Sequence, residues 1–179
     1  MKYVSILRGI NVSGQKIIKM ADLKSLYENL GFGNVVTYIQ SGNVIFETDN
    51  KTTADIKSTI EKAIERKYKF TVPAIIRTNK ELKKVIDQCP FGDIDFNKDG
   101  TKVLVTFLAT KPEKNKVNKI KRFVVAPEDL VVSGKEIYLY CPNGYGKSKL
   151  SNTFLENKLD IEATTRNIKS VLKLHDLSL

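Results

Sequence analysis

The sequence predicts an α+β fold made of two similar halves. Three observations lead there. Residues 3–90 alternate in the order β-α-β-β-α-β, residues 102–179 repeat that rhythm, and a stretch rich in Pro, Gly, Asn and Asp separates them. This strand order is the split βαβ arrangement of ferredoxin-like domains. The expectation is therefore two ferredoxin-like halves in tandem, each an antiparallel sheet with helices on one face. The halves are placed at residues 1–90 and 102–179, the second including a C-terminal helix, with residues 91–101 as connector.

Taken in order, residues 3–8 read as a buried strand. Leu23, Leu26, Tyr27 and Leu30 stand at i, i+3, i+4 and i+7, which predicts a helix over 21–30 that Gly31 stops in the left-handed region. Residues 35–39 and 44–46 read as a hairpin around Gln40-Ser41-Gly42-Asn43. Thr52 with Asp55 has capping-box spacing, and Ile56, Ile60, Ala63 and Ile64 form one apolar stripe after it. Residues 71–77 make the next strand, and Asn79 is expected to cap a short helix. In the second half, residues 102–109 read as a strand, and Pro112 fits the first turn of a helix holding Val117, Ile120 and Val124. Residues 130–132 and 136–140 are strands joined through Ser133-Gly134, which echoes Ser41-Gly42. Ser148 is expected to cap a helix with Leu150, Phe154 and Leu155. An extended piece, 161–165, follows, and Asn167 caps the last helix.

Composition narrows the function classes. The 179 residues are 41% hydrophobic and 28% charged, ordinary for a globular protein. No apolar stretch approaches the roughly 20 residues that span a bilayer, and Met1-Lys2-Tyr3-Val4 enters a strand directly, so the expected location is the cytoplasm. Cys89 and Cys141 form no metal-spaced pattern, and the lone His175 reads as a packed helical residue; no metal site and no cofactor are expected. The net charge of +10 is almost entirely lysine. It fits either a solvated surface shaped by base composition or an anionic partner. The run Lys111, Lys114, Lys116, Lys119, Lys121 and Arg122 carries the same two readings, a solvated helix face or a polyanion footprint.

Candidate site residues lie in loops. Arg8-Gly9-Ile10-Asn11-Val12-Ser13-Gly14-Gln15-Lys16 follows the first strand and carries more hydrogen-bonding capacity than a turn requires. Backbone N–H groups beside guanidinium and amide donors suit an anion, although Asn11 equally fits an Asx-turn. Gln40-Ser41-Gly42-Asn43 has similar chemistry and also suits a plain tight turn. Cys141 to Ser148 imitates a phosphate-binding loop, but Cys141 stands where glycine is needed, Pro142 removes an N–H, and too few residues follow for a nucleotide hydrolase. A weaker expectation survives, a phosphate held by backbone N–H groups of Gly144–Lys149 at a helix N-terminus. Thr164-Thr165-Arg166-Asn167 reads as a helix cap or as an anion contact. No catalytic motif appears: there is no G-x-S-x-G elbow, and no cysteine has a candidate base nearby.

Leu7-Arg8-Gly9-Ile10-Asn11-Val12, Ile18-Lys19-Met20, Tyr38-Ile39-Gln40-Ser41-Gly42-Asn43-Val44, Gly146-Lys147-Ser148-Lys149-Leu150 and Thr164-Thr165-Arg166-Asn167 resemble the bacterial family called domain of unknown function 1697. The resemblance implies an α+β fold of this length with no established activity, so it lends no catalytic residues. It places Arg8, Asn11, Gln40, Ser41, Asn43, Lys147, Ser148, Arg166 and Asn167 at the family's signature positions. Ser13 departs from the pattern where a second Gly is usual, and Ile168 where a Trp is usual.

The functional expectation is a basic polar cleft, formed from these signature loops, that binds a phosphate-bearing ligand, either a nucleotide-like molecule or a nucleic acid. Arg8 and Arg166 would be the charged forks, with Asn11, Gln40 and Asn43 orienting the ligand and Ser41, Lys147, Ser148 and Asn167 beside them. The alternatives are an enzyme of unassigned chemistry using the same cluster and a homodimeric regulatory or scaffold module without ligand. No membrane partner is expected.

Overall fold

The structure, a computed structural model, describes residues 1–49 and 51–179. It divides into two units: Met1–Lys83 together with Leu174–Leu179, and Lys84–Lys173.

In the first unit the elements are β1 (Lys2–Leu7), α1 (Met20–Asn29), β2 (Gly33–Tyr38), β3 (Asn43–Glu47), α2 (Thr53–Tyr68) and β4 (Ala74–Thr78). The strands form an antiparallel sheet in the order β2-β3-β1-β4. Alternation along each strand sends Tyr3, Leu7, Val44, Phe46, Ala74 and Ile76 to the face that meets Leu23, Leu26 and Tyr27 of α1 and Ile56, Ile60 and Ile64 of α2. Ser5, a fully buried polar strand residue on that face, shares a 2.7 Å hydrogen bond with the Tyr27 hydroxyl. Two buried hydroxyls thus satisfy each other, while burial pushes the Tyr27 phenol well above its ordinary pKa. The capping box expected at Thr52 is present, with Asp55 N donating to Thr52 Oγ1 at 3.1 Å and Thr52 N to Asp55 Oδ2 at 3.3 Å. The hydroxyl of Thr52 also donates to Asp55, and these bonds hold the Asp55 carboxyl below the usual carboxylate range.

Helices α3 (Asn79–Asp87) and α4 (Phe96–Asp99) follow. The second unit then has β5 (Val103–Leu108), α5 (Lys114–Lys121), β6 (Asp129–Ser133), β7 (Glu136–Tyr140), α6 (Asn152–Leu159), β8 (Ala163–Asn167) and α7 (Ile168–Leu177), whose last residues belong to the first unit. Its sheet order is β6-β7-β5-β8, again antiparallel. Leu104, Leu108, Ile137, Leu139 and Ala163 pack with Ile120, Leu155 and Leu159.

Both halves are ferredoxin-like, and they share hydrogen bonds as well as strand order. Leu7 N donates to Gly42 O as Leu108 N donates to Lys135 O; Arg8 N donates to Pro73 O as Ala109 N donates to Glu162 O. Val4 opposes Arg77 in the first sheet, and Val105 opposes Arg166 in the second. By this register Gly42 corresponds to Lys135, so Ser133-Gly134 is not the positional echo of Ser41-Gly42.

Several element ends differ from expectation. Helix α6 is capped by Ser151, whose Oγ accepts from Phe154 N, and not by Ser148. Helix α3 is capped by Thr78 in a box with Glu81, while Asn79 instead donates to Ser178 Oγ at 2.9 Å. Helix α5 starts at Lys114, past Pro112, and ends before Val124. No helix among the described residues is long and apolar enough to cross a membrane.

Candidate functional site

The two polar loops of the first unit lie together and form one clasp. Asn11, at φ +54°, donates through Nδ2 to Ile18 O at 3.0 Å and to Gln40 O at 2.9 Å, and its Oδ1 accepts from Ile18 N at 2.9 Å. The side chain thereby copies a strand partner for Ile18 and ties the first loop to the second. Asn43 is fully buried, and its Nδ2 donates to Tyr38 O at 3.0 Å and Ser41 Oγ at 3.1 Å, closing the β2–β3 turn. Between them Gly42 sits at φ +80° against Ile10 and Leu7, where a Cβ would come within 2.5 Å of Ile10 Cδ1. Asn11 and Asn43 therefore have their amides engaged within the loops and do not offer them to a ligand. Gln40 is exposed, while Arg8 and Ser41 are half-buried. The sequence had already offered this structural reading, the Asx-turn and the tight turn.

The second-unit motifs resolve similarly. Asn167 Oδ1 accepts from Ser170 N at 2.9 Å, which is the cap expected of it. Arg166 Nη1 donates to Thr164 Oγ1 and Thr165 O. Arg77 occupies the equivalent strand position in the first unit, is 3% exposed, and donates Nη1 to Ile76 O. The repetition marks this arginine position as part of the fold in each half. Ser148 Oγ accepts from Leu150 N at 3.0 Å and also bonds Cys141, whose thiol burial nevertheless pushes up. In the loop imitating a phosphate cradle, the amides of Gly144, Lys147 and Ser148 donate to carbonyls within the loop itself. The loop itself holds a three-residue 3₁₀ turn, Tyr145–Lys147, and the helix expected to follow Ser148 begins only at Asn152, so a backbone cradle leading directly into a helix N-terminus is not formed.

What the second unit does form is an open cavity of about 1030 Å³. Three segments line it: Thr101 and Lys102; Phe123 and Val125–Glu128; and Pro142–Gly144 with Lys147 and Lys149. Three lysines thus face one carboxylate, Glu128, among the lining residues. Lys102 is paired with Asp99 at 2.7 Å, and that hydrogen bond and charge hold its ammonium pKa above the ordinary value. Lys147 and Lys149 are exposed, and no ion pair among the described residues engages them. Beside them lie exposed apolar groups, Phe123 at 37% and Val125 at 60%. Of the expected site residues, only Lys147 lines this cavity. Lys102 and Phe123 were not singled out, because they lie in segments far from the Gly144–Lys149 loop, where Lys149 was expected only as part of a backbone cradle. The one available signal was a Phe-Val-Val-Ala-Pro run directly after a lysine-rich helix, with no further helix to bury it. Among the described residues no group of His, Cys, Asp and Glu is placed to hold a metal ion.

Comparison with known proteins adds a family and a fold. The family described as "Protein of unknown function (DUF1697)" matches residues 1–138. The chain belongs to that family. The match takes in the first unit's loops and the Phe123–Glu128 wall, and it ends before Lys147, Ser148, Arg166 and Asn167. Among solved structures, a conserved bacterial protein, SP0830 of Streptococcus pneumoniae, superposes with a TM-score of 0.78 at 21% identity, covering 99% of this chain and 98% of its own. That likeness supports the doubled fold. No curated protein matches the chain.

Proposed function

We propose that the second unit binds a phosphate-bearing ligand in the cavity between Phe123–Glu128 and Pro142–Lys149. The observation that carries this reading is that Lys147 and Lys149 line the same cavity as the exposed Phe123 and Val125. Ammonium groups without carboxylate partners attract an anion, and exposed apolar surface beside them favours a ligand that also has a flat or apolar part. A nucleotide has both. The cavity's volume is at the upper end of what small-molecule sites use. The charge comes from flexible lysines rather than from a backbone cradle or an arginine fork, so the contact is a point-charge one and is sensitive to salt.

Amide NMR with ATP and with inorganic tripolyphosphate tests this. Resonances of residues 143–149 and 123–128 should shift with either compound, ATP moving Phe123 and Val125 more. Lys147→Gln combined with Lys149→Gln should weaken ATP binding by about tenfold or more, roughly 1.4 kcal/mol. Shifts confined to the first unit, or an unchanged affinity in the double variant, would overturn the reading.

A further inference from the structure

The aromatic and basic surface of the second unit does not stop at the cavity. Phe123, on the cavity wall, makes an edge-to-face pair with Phe154 of α6, ring centroids 5.0 Å apart and planes 71° to one another. Lys158 Nζ stands 5.3 Å from the Phe123 centroid and 5.8 Å from that of Phe154. Neither Phe154 nor Lys158 lines the cavity. A mononucleotide seated against Lys147 and Lys149 would leave this second platform unused. We infer that the ligand is a single-stranded nucleic acid, one nucleotide entering the cavity and its neighbour crossing Phe123 to Phe154 and Lys158. The inference rests on the cavity reading above and deepens it.

Two features select a single strand. Ring faces inclined at 71° accept two bases only if those bases have come out of parallel stacking, which a duplex does not permit. Lys147 and Lys149 line the cavity and Lys158 stands over the aromatic pair, so phosphates meet positive charge both in the cavity and at the rings. Aromatic faces and backbone charge without hydrogen-bond readout give sequence-tolerant binding, and nothing in this surface reads the 2′-hydroxyl, so RNA and DNA strands should both bind.

Fluorescence anisotropy with labelled oligonucleotides of about 12 nucleotides decides it. Single-stranded RNA and DNA should each bind at least tenfold more tightly than ATP, and should weaken steeply between about 50 and about 200 mM salt. Phe154→Leu, which keeps apolar bulk and removes the π-face, should lower the strand-to-ATP affinity ratio about fivefold or more. Phe154→Tyr, which keeps a π-face at that place, guards against a leucine variant that fails to fold and should hold the wild-type ratio. Lys158→Gln should flatten the salt slope by about 0.7. ATP binding without tighter strand binding would overturn this inference and leave the cavity reading intact. A duplex bound as tightly as its single strand would also overturn it. Failure of both ATP and strand to bind would overturn both.

Discussion

Replacing Gly42 by alanine tests whether the polar loops of the first unit are a packed clasp. Gly42 has φ +80°, and a Cβ there would lie 2.5 Å from Ile10 Cδ1, 2.9 Å from Ile10 Cγ1 and 3.0 Å from Leu7 Cβ. Left-handed backbone costs a residue with a Cβ about 1–2 kcal/mol. Ile10 and Leu7 are 1% and 0% exposed, so neither swings into solvent, and overpacking of this kind adds about 1–3 kcal/mol. The expected total is about 2–5 kcal/mol. Gly14→Ala is the internal control: its φ is +74°, but nothing lies within 4 Å of the added Cβ, so only the backbone cost of about 1–2 kcal/mol applies. Urea unfolding followed by circular dichroism measures both, and the difference isolates the overlap. Ile10→Val removes the atom nearest the new Cβ, so Gly42→Ala should cost less in that background by about 0.5 kcal/mol or more. If Gly42→Ala proves no worse than Gly14→Ala, the close packing of the two loops is refuted.

Two further outcomes are expected. Asn11→Ala removes three hydrogen bonds and places a Cβ-branching-free but still strained residue at φ +54°, for a loss of about 2–4 kcal/mol in the same denaturation assay; Asn11→Gly, which relieves the backbone, should be milder by about 1 kcal/mol. Asp55 has a lowered pKa in the folded protein, so its contribution is present above the ordinary carboxylate pKa and is lost as pH falls through the depressed value. Wild type should therefore lose stability relative to Asp55→Asn as pH drops from about 7 to about 3, and equal losses in both proteins would remove the capping box from the account.

The fold was legible because its signals are local. Leu23, Leu26, Tyr27 and Leu30 repeat at helical spacing, Thr52 and Asp55 are three apart, and Asn167 directly precedes an apolar run, so each element announces itself within a few residues. Where two candidates compete locally, the sequence is silent. Ser148 and Ser151 both precede the same apolar residues, and Thr78 and Asn79 are adjacent caps; tertiary geometry chose Ser151 and Thr78. The candidate site was harder for a different reason. Asn11 and Asn43 have the chemistry of ligand donors, and only the fold shows their amides turned onto Ile18, Gln40, Tyr38 and Ser41. Conversely, Lys102 and Phe123 gain meaning only by lining one cavity with Lys147 and Lys149, and no spacing rule connects them.

The division of the chain also orders its manufacture. Residues 174–179 belong with the first unit, where Asn79 Nδ2 donates to Ser178 Oγ and Lys2 Nζ to Leu179 O. On the ribosome the first sheet emerges early, yet these closing contacts are synthesised only after every strand of the second unit has been made. The apolar cluster of the first unit, from Tyr3 to Ile76, can therefore close while the second unit is still being made, and only the strap of residues 174–179 is fastened last. A chain truncated after residue 173 would keep every strand of both sheets and lack only this strap.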